Sequence, residues 1–183
     1  MFCFRSGRQE DGDLVATSQQ LVRALAPLLT EQDALRLCLA AARLRGIGKR
    51  VNYYDRHRHT FNLVTSARLF GLTHRQQLIL AAAAAYEGPR RMRELLLPFS
   101  GLLERADVLE AQRIGLLVAY AEAVGRRCPG CRPEISAGIG PARIDLLISG
   151  APEPPEIPFD EAERLEDQFL KVYGRKLVCR YVS

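Results

Sequence analysis

A mainly helical domain followed by a small ββαβ tail is the fold class that the sequence predicts, and three observations carry it. Between Asp13 and Gly125 apolar residues recur at helical spacing in six or seven segments parted by Gly, Pro and Thr. After Gly125 the period shortens to two. Ala, Leu and Arg dominate and Trp is absent, a helix-favouring mixture. The 183 residues suit one ordinary domain, or one with a small appendage. The expected division is a disordered terminus over 1–12, a helical domain over 13–127 and an α+β subdomain over 128–183.

The first helix is expected from Asp13, with Leu14, Ser18, Leu21, Leu25 and Leu28 on one stripe. Thr30-Glu-Gln-Asp33 reads as a cap with an acidic first turn. The helix it opens carries Leu35, Cys38, Leu39 and Ala42 and ends near Gly46; being apolar nearly all round, it is the expected buried central helix. Gly46 to Asp55 reads as a loop, with a helix beginning near Arg58 and closed by Gly71. Thr73 caps the next, with Gln76 placed for a capping box, and that helix stops at Gly88-Pro89. Short helical pieces lie on either side of Pro98. Asp107 is expected to cap a long helix through Ile114, Leu117 and Val124. In the tail, Ile135, Ala137 and Ile139 alternate with Ser136 and Gly138, while Ile144, Leu146 and Ile148 alternate with Arg143, Asp145 and, less cleanly, Leu147, and Gly140-Pro141 lies between: a hairpin. The proline-rich stretch 151–158 is a semi-rigid connector. An amphipathic helix over Phe159–Tyr173 and a strand over Lys176–Val182 complete the order.

Apolar residues at 48% and charged residues at 26% mark a globular chain. No apolar run approaches the length of a membrane span, and the first residues lack the apolar core of a signal peptide. Five scattered cysteines are no disulfide framework, and their odd number fits a reducing cytosol. Secreted, membrane and fibrous classes are therefore not expected, and a cytoplasmic location is.

Charge is uneven. The net charge is +5, yet residues 43–93 hold eleven arginines and lysines against Asp55 and Glu87 alone. Residues 151–170 hold seven acids against Arg164. Within the basic stretch, Lys49, Arg50, Arg56, His57, Arg58 and His59 cluster. Guanidinium groups chelate phosphate oxygens, and a helix starting near Arg58 would add its dipole. An anion cradle and a solvated arginine-rich face are both open. On an extended segment His57 and His59 share a side; on a helix they diverge by about 200°. A metal site there would need a third ligand, and Asp55 is the near one. Cys128-Pro-Gly-Cys131 is a CxxC knuckle that lacks a second pair for zinc and follows a helix rather than opening one, so an incidental turn is the expectation. His74 is expected on the surface. The run Ala81 to Ala85 invites close packing, in the core or in a homodimer.

Leu44-Arg45-Gly46-Ile47-Gly48, then Tyr54-Asp-Arg-His57-Arg-His59-Thr60, then Gly71-Leu-Thr73 form an ordered set. With Tyr120-Ala-Glu-Ala-Val-Gly125-Arg126 and the end segment Phe169 to Leu177, they give a chain that resembles the C-terminal HD-type helical domain of the exopolyphosphatase and guanosine pentaphosphate phosphohydrolase family. The resemblance covers roughly residues 14 to 182 and implies an HD-like bundle. It also implies a phosphate-rich ligand, such as polyphosphate or a guanosine polyphosphate, and a partner in the form of a separately encoded actin-like phosphatase subunit. The departures are as informative. The family's Leu-His-Asp-Ile-Gly stands here as Leu-Arg-Gly-Ile-Gly, no histidine precedes His57, and Gly125 replaces the downstream Asp. Arginine does not lose its proton to ligate a metal, and glycine offers no ligand. The resemblance therefore implies a degenerate HD site, with no metal, no cofactor and no catalytic residue of its own. The expected function is a non-catalytic polyanion-binding or partner-docking module. The alternatives are a phosphohydrolase with an unrecognised site and a basic nucleic-acid-binding accessory protein.

Overall fold

In the computed structural model, which describes residues 6–29, 33–127, 134–150 and 159–182, the protein is mainly helical with a small three-stranded sheet near its C-terminal end. It forms two compact units: Leu29–Ala119 is one, and Met1–Leu28 with Tyr120–Ser183 is the other. The change of period after Gly125 predicts a division before Cys128. The contact between the first helix and the first strand accounts for the different grouping.

In the central unit, α2 (Ala34–Leu44) buries Ala34, Leu37, Cys38, Ala41 and Ala42, the i, i+3, i+4, i+7, i+8 stripe of a one-sided helix. Arg36 and Arg43 face solvent, so α2 is not the wholly buried helix expected. The Thr30 cap falls outside the described residues; the helix begins after Asp33, whose side chain makes no capping hydrogen bond. The buried central place belongs to α4 (His74–Ala84), in which every residue from Leu78 to Ala84 is buried and against which α2 and α3 (Arg56–Ser66) pack. Alanines at 81–85 leave little side-chain bulk, so neighbouring backbones come close, and here the run is core. The Thr73–Gln76 capping box forms in full. Gln77 Nε2 donates to the carbonyls of Val64, Thr65 and Ala67, satisfying the orphan acceptors at the end of α3.

Gly88, with φ of 137°, turns the chain into α5 (Pro89–Leu96), where Pro89 occupies the first turn without forfeiting a hydrogen bond. Then comes α6 (Arg105–Arg127), which belongs to this unit as far as Ala119 and to the other from Tyr120. Asp107 is not its N-cap but sits inside its first turn, where Oδ2 accepts from Glu104 N–H at 2.7 Å and from Arg75 Nη2 at 2.6 Å. Arg75 Nε donates to the same oxygen at 3.1 Å, so three N–H groups converge on it. Gly115 lies against buried Tyr86; a Cβ there would be 2.6 Å from the Tyr86 Cβ.

In the other unit, α1 (Ser6–Ala24) starts seven residues before Asp13 and carries buried Ser18, Leu21 and Val22, with Leu25 and Leu28 beyond its end. Strands β1 (Glu134–Ile139) and β2 (Arg143–Ser149) form the expected antiparallel hairpin, pairing Ile135 with Ile148, Ala137 with Leu146 and Ile139 with Ile144. A parallel β3 (Lys176–Val182) joins β2 through the crossover helix α7 (Phe159–Tyr173), giving the order β1-β2-β3. Ile144, Leu146, Ile148 and Leu177 are buried on one face, with Leu165 and Phe169 of α7. Tyr120 meets Phe169 edge-on at 5.4 Å, and burial pushes its hydroxyl well above the ordinary tyrosine range. Cys128, Cys131 and the connector 151–158 lie outside the described residues.

Candidate functional site

The basic segment is organised by one glycine and one carboxylate. Ile47–Arg50 is a single 3-10 turn, and its Gly48 is seated on the first turn of α3. A Cβ on Gly48 would stand 2.0 Å from Arg56 O and 2.5 Å from Thr60 Oγ1. The Gly48 N–H donates to Thr60 Oγ1 at 3.2 Å. Lys49 and Arg50 are thereby fixed in place relative to Arg56–His59.

Glu87, in the turn between α4 and α5, is the second organiser. Arg56 Nε donates to its Oε1 at 2.8 Å, and Arg91 donates to its Oε2. His57 Nδ1 lies 3.5 Å from Oε2, within ion-pair reach but without a hydrogen bond. Burial pushes the Glu87 carboxyl up, but the hydrogen bond and charge of Arg56, with His57 and Arg91, hold it net below its ordinary value. It is therefore a carboxylate at neutral pH, and it draws Arg56 and His57 inward.

The six candidate residues thus divide. Lys49, Arg50 and Arg58 are exposed, Arg56 and His57 are turned to Glu87, and His59 is half-buried. The helix begins at Arg56 rather than Arg58, so both histidines are helical and diverge. The side-by-side imidazoles of an extended segment do not occur. Asp55 is the N-cap of α3 but makes no side-chain capping hydrogen bond. Among the described residues no group of three His, Cys, Asp or Glu is placed to hold a metal ion. His74 is exposed, as expected.

Arg45 Nη1 donates to the Tyr86 carbonyl at 2.8 Å, and Gly46 is exposed.

A groove of about 400 Å³ runs between α3 and α5, lined by Arg58, Phe61, Thr65, Arg91, Glu94 and Phe99 among others. It places Arg58 beside Arg91, a juxtaposition with no sequence signal, since the two are far apart in the chain. Glu87 was missed for the same reason: only its i, i+4 spacing to Arg91 hints at its part.

Among the described residues no helix is long and apolar enough to cross a membrane. No protein-family profile matches the chain, and no curated protein matches it.

Proposed function

We propose that the chain is a polyanion-binding module of the kind its resemblance to the exopolyphosphatase and guanosine pentaphosphate phosphohydrolase family implies, with hydrolysis left to a separately encoded partner. The observation that carries the reading is the exposure of Lys49, Arg50 and Arg58 on two elements pinned together through Gly48 and Thr60. Glu87 does not cancel these three, because its oxygens are engaged by Arg56 and Arg91. An isolated surface ion pair is worth only about 0–1 kcal/mol, so a small phosphate would gain little here. A chain of phosphates that engages several cations at once sums charge-assisted bonds and releases counterions.

The test is titration of long and short polyphosphate into wild type and an Arg50→Ala/Arg58→Ala variant across a salt series. Affinity should rise with chain length, fall steeply with salt and drop in the variant. Equal affinity in both proteins would remove the site from this segment. Release of phosphate from polyphosphate by the purified protein with Mg²⁺ would refute the non-catalytic part of the reading.

A further inference from the structure

Between these cations lies a stretch that bare phosphate does not use. Val51, Tyr53 and Tyr54 are 58%, 65% and 91% exposed. The loop that bears them is nonetheless held in place. The N–H groups of Val51 and Asn52 both donate to Gly48 O, and Tyr54 N–H donates to Asn52 Oδ1 at 3.0 Å, an Asx turn. Arg56, fixed by Glu87, lies 5.9 Å from the centroid of the Tyr53 ring, within cation–π range. Tyr53 in turn meets Tyr54 edge-on, with centroids 6.0 Å apart and planes at 87°. Glu87, Arg56 and Tyr53 thus form a brace, and Tyr54 is the ring left facing solvent at its end.

Resting on the polyanion reading, we infer that the ligand is a single-stranded nucleic acid, with a base stacked on Tyr54 and its phosphates on Lys49, Arg50 and Arg58. Aromatic faces set among cations are what a strand with unpaired bases recognises, since every base has a π-face and every linkage a charge. Inorganic polyphosphate has no group for the rings. A duplex keeps its base faces stacked inside. A mononucleotide could use one ring face, but neither tyrosine lines the groove between α3 and α5. A strand adds further phosphates along the basic turn and recovers what a single base lacks. Arg56 is a positioning residue: it holds Tyr53 and through it Tyr54.

The experiment measures fluorescence anisotropy of a labelled oligouridylate of about ten nucleotides, with polyphosphate of similar charge titrated in parallel by calorimetry. Wild type, Tyr54→Ala and Tyr54→Phe are compared. Tyr54 is 91% exposed, so its removal leaves the fold intact, which matching thermal melts would confirm. Tyr54→Ala should weaken the oligonucleotide about 5- to 140-fold while leaving its salt slope and the polyphosphate affinity unchanged. Tyr54→Phe should bind as wild type does. Equal oligonucleotide affinity in wild type and Tyr54→Ala would overturn the inference and leave the polyanion reading standing. Failure of wild type to bind either probe would overturn both. Self-association that disappears in Tyr54→Ala, without oligonucleotide binding, would assign the ring to a second copy of the chain and overturn the inference.

Discussion

Gly48→Ala would place a methyl group into the closest backbone approach in the basic segment. The new carbon would stand 2.0 Å from Arg56 O, 2.5 Å from Thr60 Oγ1 and 2.6 Å from Thr60 N. Two of these are backbone atoms of the first turn of α3 and cannot rotate aside, so the 3-10 turn must lift away. Overpacking of this kind costs about 1–3 kcal/mol. Losing the Gly48 N–H···Oγ1 hydrogen bond adds about 0.5–1.5 kcal/mol. The expected destabilisation is therefore about 1.5–4.5 kcal/mol. Urea denaturation followed by circular dichroism measures it, with Gly46→Ala as the control. At Gly46 a Cβ meets nothing within 4 Å, and that variant should stay within about 0.5 kcal/mol of wild type. A Gly48→Ala protein as stable as the Gly46→Ala control would mean that the turn is not seated on α3, and the argument for a fixed cluster of Lys49, Arg50 and Arg58 would fall with it.

Thr73→Ala removes the hydroxyl that accepts from Gln76 N–H at 3.2 Å and should cost about 1 kcal/mol, seen as a lower urea midpoint at unchanged slope. Glu87 contributes a pH dependence of definite sign. A carboxyl held below its ordinary 4.5 adds stability that is present above that value and lost as pH falls through the folded-state value. The stability gap between wild type and Glu87→Gln should therefore narrow below about pH 4.5; a gap constant from pH 7 to acid would contradict the assignment. Burial pushes the Cys38 thiol up to about 12, and its side chain is fully enclosed. Native alkylation with peptide mapping should therefore label the half-exposed Cys179 and spare Cys38 until denaturant is added.

Local signals were legible wherever the chain satisfies its own backbone within a few residues. The Thr73–Gln76 box, the hairpin around Gly140-Pro141, and the bounds of α7 and β3 all follow from spacing that a sequence displays directly. Asp107 was read as a cap because acids favour helix starts. Arg75, 32 positions away, supplies a second donor that favours its place inside the turn. Leu35 and Leu39 made α2 look buried all round, yet propensity and composition cannot say which apolar face finds a partner, and α4 took that place. At the candidate site the cations were legible but their orientation was not. Glu87 counted as one acid among eleven bases, whereas in space it fixes which two of the six candidate residues turn inward. The seat of Gly48 on Thr60 is a contact across 12 residues that leaves no mark in a single sequence.

The grouping of α1 with the C-terminal segments has a consequence for biosynthesis. The unit Leu29–Ala119 is continuous in the chain, so its contacts can close as soon as it has left the ribosome. By then α1 has long emerged, but β1, the strand it packs with, has not. Its stripe of Leu21, Val22 and Leu25, buried in the finished molecule, must stay accessible to water or to a chaperone throughout that interval. Non-local closure of this kind is slow, so a helix synthesised before the central unit is locked in place after it. Stop codons within the sheet would therefore release a product whose central unit is formed and whose first helix is adhesive.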